Sequence, residues 1–394
     1  MSRFLRVAHA YGGSEQPTAY YGPLSSRALT SCTRSSMFAA QLIGRVALLA
    51  VLLSACTQGP ASAPPTAVAP AALPTPAAVP TPAASTNGLT YVQVALGFVP
   101  SVQSAPFYVA QDRGYYAAEG LDVEFKYGTI QNVLGLVSQG DIAFASASGD
   151  ALMPQRQQGV NVTYVLSFWT KNPIGALAIA GNNTPPLHVP ADLKGKNVGV
   201  SAPNSSTHFG LKALLKAANL TDDDVHLVAI GTTEVEALIQ KRIDVAITFL
   251  PNQAAQMKSL GLPTETIAVA DYMDYAPPGL VAGDKTIQEH PELVQKFVNA
   301  TLRGLRDTLA DPGTAFEASL KRMPELSPDN QPLQRDVLTA TLEYYKPRPT
   351  GSLGSTDVQT WTRTQDFLKS IGVISQTIDP SQYFTNKFGD AASS

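Results

Sequence analysis

Cysteine is scarce in this chain, and its scarcity excludes several kinds of chemistry. Only 2 cysteines occur among 394 residues, at Cys32 and Cys56. The stretch before Met37 has no apolar periodicity, so Met37 is an alternative start to Met1, and translation from Met37 would leave only Cys56 in the product. The folded region would then hold no disulfide, no thiolate nucleophile and no cysteine ligand for a metal. Cysteine-based catalysis is therefore not expected.

Charge is sparse as well, because charged residues make up 15% of the chain and the formal net charge is -3. No stretch concentrates Lys and Arg as a phosphate-tracking surface would, so nucleic acid is not an expected partner. The histidines lack metal-ligand spacing, and no serine lies in a nucleophile-elbow motif. We therefore predict no metal, no cofactor and no catalytic residue. These histidines are His188, His208, His226 and His290.

No apolar run is long enough to span a bilayer, but one short run lies near the N-terminus. Residues Val46 to Leu53 suit the apolar region of a signal peptide, and Arg45 supplies a positive charge before it. Leu53-Ser54-Ala55-Cys56 resembles the bacterial lipobox, whose cysteine is lipidated and becomes the mature N-terminus. This predicts a signal region over 1–55, a palmitate-type lipid on Cys56 and a location on the extracytoplasmic face of the cell membrane.

The residues from 56 to 88 consist mainly of Ala, Pro, Thr and Ser, with almost nothing to pack. Pro-rich chains stay extended at about 3.1 Å per residue, so this segment could hold a domain up to roughly 80 Å from its anchor. We expect it to be a tether.

After Gly88 short β-branched runs alternate with helical segments, which indicates right-handed βαβ units and an α/β fold. A second series begins near Asn197 and repeats the order of the first, which favours two similar lobes with a ligand cleft between them. From Pro291 onward the pattern is helical, and we expect these helices to pack back onto the first lobe. The predicted strands are 91–96, 121–125, 142–145, 197–200, 226–230 and 245–249, and the predicted helices are 105–119, 130–139, 208–219, 234–241, 331–344 and 357–371.

Four segments carry a resemblance to a known family. The residues from Phe107 to Tyr116 and from Glu119 to Val123 resemble the opening of solute-binding proteins related to thiamine-pyrimidine synthase. Asp192 to Val200 is similar to their entry into the second lobe, and Tyr383 to Phe388 to their closing segment. The resemblance covers nearly everything from Leu89 to Phe388.

This resemblance implies a type II periplasmic-binding-protein fold with crossovers near Ala180 and Gly279. Lobe 1 would then be 89–180 plus 279–390, and lobe 2 would be 181–278. Members of the family serve ABC importers, so the permease and ATPase subunits would be separate chains. Family ligands include riboflavin, thiamine pyrimidines, alkanesulfonates, taurine and nitrate. A related branch makes the thiamine pyrimidine with a cysteine-rich segment that this sequence lacks, which argues against an enzyme.

Loops that follow the predicted strands should face the cleft and bind the ligand. Trp169 is the leading candidate for stacking on a flat heterocycle, although a loop tryptophan can equally close the edge of a core. The polar residues before predicted helices could hold the ligand or simply cap those helices. The candidates are Gln103, Ser104, Ser148, Trp169, Asn172, Asn204, Ser205, Thr207, Phe249, Asn252, Tyr272 and Tyr275, and the same loops contain Ser101, Ser146, Asp150 and Ser206.

Aromatic and neutral polar loops favour a vitamin-like heterocycle over an anion. Riboflavin is the first choice, because amides and hydroxyls suit a ring system with a polyol tail, and a thiamine-precursor pyrimidine is the second. An alkanesulfonate, taurine or nitrate remains the alternative, since backbone amides and hydroxyls can hold an anion without arginine. A pyrimidine-forming enzyme and a surface sensor or adhesin are rival functions.

Overall fold

The computed structural model describes residues 88–128, 132–182, 185–348 and 351–391, with the side chains of 390 and 391 excepted. These residues belong to one compact unit. The predicted signal region, the lipidation site Cys56 and the tether up to residue 87 lie outside the described residues. Within the described ranges, no helix has the length and apolar character needed to cross a membrane.

In the part of the chain that the structure describes, ten strands form two sheets. They are β1 (Thr90–Gly97), β2 (Leu121–Tyr127), β3 (Phe144–Ala147), β4 (Val162–Leu166), β5 (Ile174–Ile179), β6 (Asn197–Val200), β7 (His226–Ala229), β8 (Val245–Phe249), β9 (Thr264–Ala268) and β10 (Gly279–Gly283). The first sheet has the order β2-β1-β3-β10-β4, and the second has the order β7-β6-β8-β5-β9. In each sheet four strands run in the same direction, and the fourth strand of the order runs antiparallel to its neighbours. The two lobes therefore share one topology, as predicted.

Thirteen helices surround these sheets within the described ranges. They are α1 (Ala105–Asp112), α2 (Tyr115–Ala118), α3 (Val133–Gln139), α4 (Gly149–Gln157), α5 (Ser206–Ala217), α6 (Glu234–Ile239), α7 (Leu250–Ser259), α8 (Asp284–Glu289), α9 (Pro291–Ala310), α10 (Pro312–Leu320), α11 (Gln331–Tyr345), α12 (Val358–Ser370) and α13 (Lys387–Ala391). Short 3-10 turns join them at Val102–Ser104, Pro190–Leu193, Asp222–Asp224, Val269–Asp271, Pro328–Asn330 and Pro380–Gln382.

The entry into the second lobe lies earlier in the chain than the sequence suggested. The expected boundary near Ala180 is wrong, because β5 pairs with β8 and β9 of the second sheet. The first crossover therefore ends before Ile174. β5 is buried over most of its length, and a continuous apolar run does not reveal which sheet it joins. The return crossover ends where β10 begins at Gly279, as expected.

The long helix α9 covers the first sheet, as predicted for the helices after Pro291. Phe297 on α9 stacks on Phe144 of β3, with ring centroids 4.3 Å apart, and on Tyr116 at 4.9 Å. All three rings are buried. Burial of a large aromatic side chain contributes roughly 1.5–3 kcal/mol, so this stack fixes α9 against lobe 1.

Candidate functional site

The carboxyl edge of the first sheet gathers loops that are distant in sequence. β1 and β3 are parallel neighbours, so the residues that follow them, Phe98 and Ser148, come to the same edge. β10 is antiparallel to β3, and Gly279 pairs with Ala147, so the residues that precede Gly279 reach this edge too. The amide of Gly149 donates a hydrogen bond to the carbonyl of Ala276 at 3.1 Å, which closes the arrangement.

The second sheet presents a matching edge. The loop after β6 leads into α5, and the loop after β8 leads directly into α7. β5 is antiparallel to β8, and Ile174 pairs with Phe249, so Asn172 at the end of the first crossover lies at this edge. Ligands of open α/β sheets bind outside the carboxyl ends of the strands. The two edges therefore define the candidate site between the lobes.

Asp150 is the most unusual residue at this site. It lies in the first turn of α4 and is only 2% exposed. Neither carboxylate oxygen has a well-oriented hydrogen-bond partner among the described residues. Burial raises the pKa of the Asp150 carboxyl, whereas the nearby hydroxyls of Ser148 and Ser206 and the amides of the first helical turn act in the opposite direction. Since Ser206 begins α5 in the other lobe, this carboxylate lies at the junction of the lobes.

Tyr275 is a second buried polar group at the same junction. It is 1% exposed, and its hydroxyl lacks a well-oriented partner within the described part of the chain. Burial raises the pKa of Tyr275 well above its usual value, the Asp150 carboxylate raises it further, and the adjacent Asn172 side chain opposes the shift. Asn172 is buried, and its Oδ1 accepts a hydrogen bond from the amide of Ile174 at 2.9 Å.

Further polar atoms in the part of the chain that the structure describes are buried without a partner. Gln103 Nε2 follows β1 on the first lobe, whereas Thr248 Oγ1 and Gln253 Oε1 lie on β8 and α7 of the second. A buried polar atom without a partner costs about 1–3 kcal/mol, and such atoms in native proteins call for a water, an ion or a ligand. The unpartnered donors and acceptors on both lobes fit a polar organic ligand.

Three predicted residues around the start of α5 already have hydrogen-bond partners within the protein. The Ser205 hydroxyl accepts from the amide of His208 at 3.3 Å and therefore caps α5. Thr207 Oγ1 accepts from the amide of Ser201 at 2.9 Å, and the amide of Asn204 donates to His208 Nδ1 at 3.0 Å. Capping, the alternative left open for these positions, thus describes Ser205, and ligand contact by any of them stays a prediction.

The structure places Trp169 in a core. It is 4% exposed and packs against Tyr345, with ring centroids 5.5 Å apart, and against Tyr344 at 5.6 Å. Trp169 therefore packs as the alternative interpretation describes, at the edge of a core. A stack on the ligand would require the ring to be uncovered first.

Tyr272 lies at the protein surface. It is 44% exposed and lines a surface cavity of about 420 Å³ together with Lys216 and Phe367. Lys216 lies in the last turn of α5, whereas the site lies at the first turn. At 1.5 Å per residue these two ends of α5 are roughly 15 Å apart. The structure thus places Tyr272 toward the end of α5 that is far from the site, and its contact with a ligand stays a prediction.

Other predicted residues lie at the carboxyl edges. Phe249 and Asn252 are partly buried at the start of α7, and Ser104 and Ser148 are partly buried in the positions that precede α1 and α4. Their contact with a ligand stays a prediction.

Sequence reasoning missed Phe98 and Val99. These two apolar side chains are 68% and 53% exposed, directly after β1. The signal was present, because Gly97 and Pro100 bracket two large apolar residues immediately after a strand. Phe98 is thus an uncovered aromatic ring at the carboxyl edge of the first sheet.

Arg348 ties the two crossovers together. Its Nε donates to the carbonyl of Thr170 at 2.8 Å, at the first crossover. Its two terminal nitrogens donate to the two carboxylate oxygens of Asp274, at 2.6 Å each, at the return crossover. Bidentate pairs of this kind fix geometry as well as adding energy. The hinge is therefore held by a side chain from lobe 1.

Two α/β lobes of equal topology, joined by two crossovers and with unpartnered polar groups buried where they meet, define a solute-binding protein. The chain belongs to the NMT1/THI5-like family, whose model matches residues 101–315. It is 36% identical to the riboflavin-binding protein RibY of Chloroflexus aurantiacus over 305 residues, which cover 76% of this chain and 86% of that protein.

More distant relatives differ in the names they carry. The formylaminopyrimidine-binding protein of Halalkalibacterium halodurans is 24% identical, over 76% of this chain and 90% of that protein. Relatives at 22% to 24% identity include proteins named 4-amino-5-hydroxymethyl-2-methylpyrimidine phosphate synthase. Among solved structures, the periplasmic aliphatic sulphonate-binding protein SsuA of Escherichia coli superimposes with a TM-score of 0.60 at 15% identity, over 75% of this chain and 92% of that one. This likeness shows the periplasmic-binding-protein fold and confirms the predicted fold class.

Proposed function

We propose that this protein captures riboflavin between its lobes and delivers it to an ABC importer. The observation that carries the proposal is the 36% identity with a riboflavin-binding protein over 86% of that protein's length. The site is consistent with such a ligand, since it combines an uncovered ring, Phe98, with buried hydrogen-bonding groups such as Asp150, Tyr275 and Gln103. A ring system with amide and hydroxyl groups would use both.

The importer itself would lie in other chains. In this proposal a permease and an ATPase supply the membrane passage and the nucleotide hydrolysis, and a lipid on Cys56 holds the binding protein at the extracytoplasmic face of the membrane. Supporting this, Cys56 closes the lipobox-like segment Leu53 to Cys56, and a Pro-rich tether follows it. We also propose that the protein does not turn over its ligand, because no cysteine follows Cys56.

A thiamine-precursor pyrimidine is the second candidate ligand. It is favoured by the 24% identity with a formylaminopyrimidine-binding protein. A smaller ring would fill less of the space between the lobes and would leave more of the buried polar atoms without a partner. We therefore place it after riboflavin.

Calorimetric titration of the detergent-extracted protein with riboflavin tests the proposal. We expect a dissociation constant in the micromolar range or below, and an increase in melting temperature that grows with ligand concentration. Formylaminopyrimidine, ethanesulfonate and nitrate serve as competitors in the same assay. Tight binding of the pyrimidine with no response to riboflavin would transfer the assignment to the second candidate.

A further inference from the structure

Two helices of opposite lobes begin at the candidate site, and one carboxylate lies between them. α4 of the first lobe has 9 residues and begins at Gly149, and α5 of the second lobe has 12 residues and begins at Ser206. Asp150 is in the first turn of α4, and the Ser206 side chain lies beside its carboxylate. A helix N-terminus carries a partial positive charge and free amide donors, so two of them together would favour an anion.

The Asp150 carboxylate already occupies this position. Asp150 is 2% exposed, and neither of its oxygens has a well-oriented hydrogen-bond partner among the described residues. No Lys or Arg of the described ranges forms an ion pair with Asp150. Nearby arginines pair with other carboxylates instead, namely Arg156 with Asp284, Arg348 with Asp274 and Asp357, and Arg363 with Asp274. The carboxylate is thus a buried acceptor with unused capacity, and the unpartnered Tyr275 hydroxyl lies near it.

We propose that Asp150 selects the ligand by charge, accepting a hydrogen bond from an N–H or O–H group of a neutral ligand and excluding sulfonates, nitrate and other anions from the space between the two helix N-termini. This deepens the proposed function, because it names the class of ligand that the same site takes. A second negative charge beside an ionised, buried carboxylate is repelled strongly in a medium of low polarity, and the Ser148 and Ser206 hydroxyls and the amides of the first helical turn favour the ionised form of Asp150.

The position of the charge distinguishes this chain's site from one built for an anion. In an anion site the helix amides point at the ligand and no protein carboxylate competes for them. Here the protein supplies the negative charge itself, so the ligand must supply donors. The imide N–H and the polyol hydroxyls of riboflavin are donors of this kind, and a sulfonate has none.

The test compares the full chain in detergent with Asp150→Asn, which removes the charge and keeps the shape, and with Asp150→Ala, which removes both. Asp311→Asn is the matched control, since Asp311 caps α10 on the protein surface and loses the same charge at a helix N-terminus. Each protein is titrated calorimetrically with riboflavin, ethanesulfonate and sodium nitrate, in a chloride buffer free of sulfonates and phosphate.

We expect the wild type and Asp311→Asn to bind no ethanesulfonate and no nitrate at millimolar concentration. Asp150→Asn should weaken riboflavin binding by about tenfold or more, because a hydrogen bond to a charged group is lost. At least one of the two Asp150 variants should gain measurable binding of ethanesulfonate or nitrate.

Each other result counts against the proposal. Anion binding by the wild type, or no anion binding by either Asp150 variant, refutes the exclusion of anions. Unchanged riboflavin affinity in Asp150→Asn and Asp150→Ala refutes the hydrogen bond. If the wild type binds no riboflavin, the proposed function fails, and the anion titrations then decide the charge selection independently.

Discussion

At the scale of single residues, the sequence alone does not identify the aromatic ring that is free to stack on a ligand. Trp169 looked suitable because it lies in a loop after a strand, yet its ring is covered by Tyr344 and Tyr345, which come far later in the chain. A pattern of neighbouring residues does not reveal such a contact. Phe98 lacks that cover and is 68% exposed.

Phe98→Ala should weaken riboflavin binding with little effect on folding. Loss of an aromatic stack costs about 1 kcal/mol beyond the lost contact area, so the dissociation constant should rise by about tenfold. The melting temperature should stay near that of the wild type, because the ring is mostly exposed without ligand. Trp169→Ala is the counterpart and should lower the free energy of unfolding by roughly 3–5 kcal/mol. Wild-type affinity in Phe98→Ala would refute the role assigned to this ring.

Asp150→Asn should stabilise the ligand-free protein, and increasingly so as the pH rises. Because burial raises the pKa of the Asp150 carboxyl, the unfolded chain loses this proton at lower pH than the folded chain does. Rising pH through that interval therefore favours unfolding of the wild type, and the amide variant escapes this loss. Melting temperatures measured from acidic to neutral pH should show that the excess of Asp150→Asn over the wild type grows as the pH rises.

Asp311→Asn is the comparison, because the pKa of the Asp311 carboxyl is shifted in the opposite direction to that of Asp150. Hydrogen bonds from Thr314 lower the pKa of the Asp311 carboxyl, so its charge stabilises the folded state above the usual carboxyl range and this contribution is lost on acidification. The variant should be no more stable than the wild type at neutral pH. An equal gain in both variants would mean that net charge, rather than burial of Asp150, controls the effect.

At the scale of secondary-structure elements, the strands were predicted most accurately. The runs at 197–200 and 245–249 match β6 and β8 residue for residue, because short β-branched runs between turn residues are typical of buried strands. The predicted helix at 105–119 is instead two helices, since Gly114 between them has a φ of 70°. The membership of β5 in the second sheet depends on pairing with β8 and β9, which local sequence does not encode.

The close approach of α9 and α1 depends on one glycine. A Cβ atom added at Gly304 would lie 2.1 Å from the carbonyl oxygen of Pro106 and 2.9 Å from the Ala110 side chain. Gly304→Ala should therefore push the helices apart and lower the free energy of unfolding by roughly 1–3 kcal/mol.

Chemical denaturation of Gly304→Ala measures this loss, with Gly313→Ala as the matched control. Gly313 is also helical, but its nearest neighbour would be the Asp311 side chain at 3.3 Å, on the surface. The control should be neutral or slightly more stable, since alanine suits a helix better than glycine. Equal behaviour of the two variants would contradict tight packing at Gly304.

At the scale of the whole molecule, the lobes contact each other in two places. At the candidate site the Asp150 carboxylate lies beside Ser206. In addition, α7 of lobe 2 packs against α11 of lobe 1, and Lys258 pairs with Asp336 at 3.1 Å. This pair is exposed and contributes little energy by itself. Arg348 at the two crossovers and these two contacts therefore join the lobes at separate places.

The proposed lipid anchor is the last feature that belongs to the whole molecule, and it makes the simplest prediction. Cys56→Ala should move the protein from the membrane fraction to the soluble fraction, because the proposed lipid would attach to that thiol. The riboflavin dissociation constant should not change, since the proposed tether lies in the sequence between Cys56 and the first strand. Cys32→Ala is the matched control and should remain in the membrane fraction, because it lies before the lipobox-like segment. Retention of Cys56→Ala in membranes, with the signal region removed, would show that another feature holds the protein there.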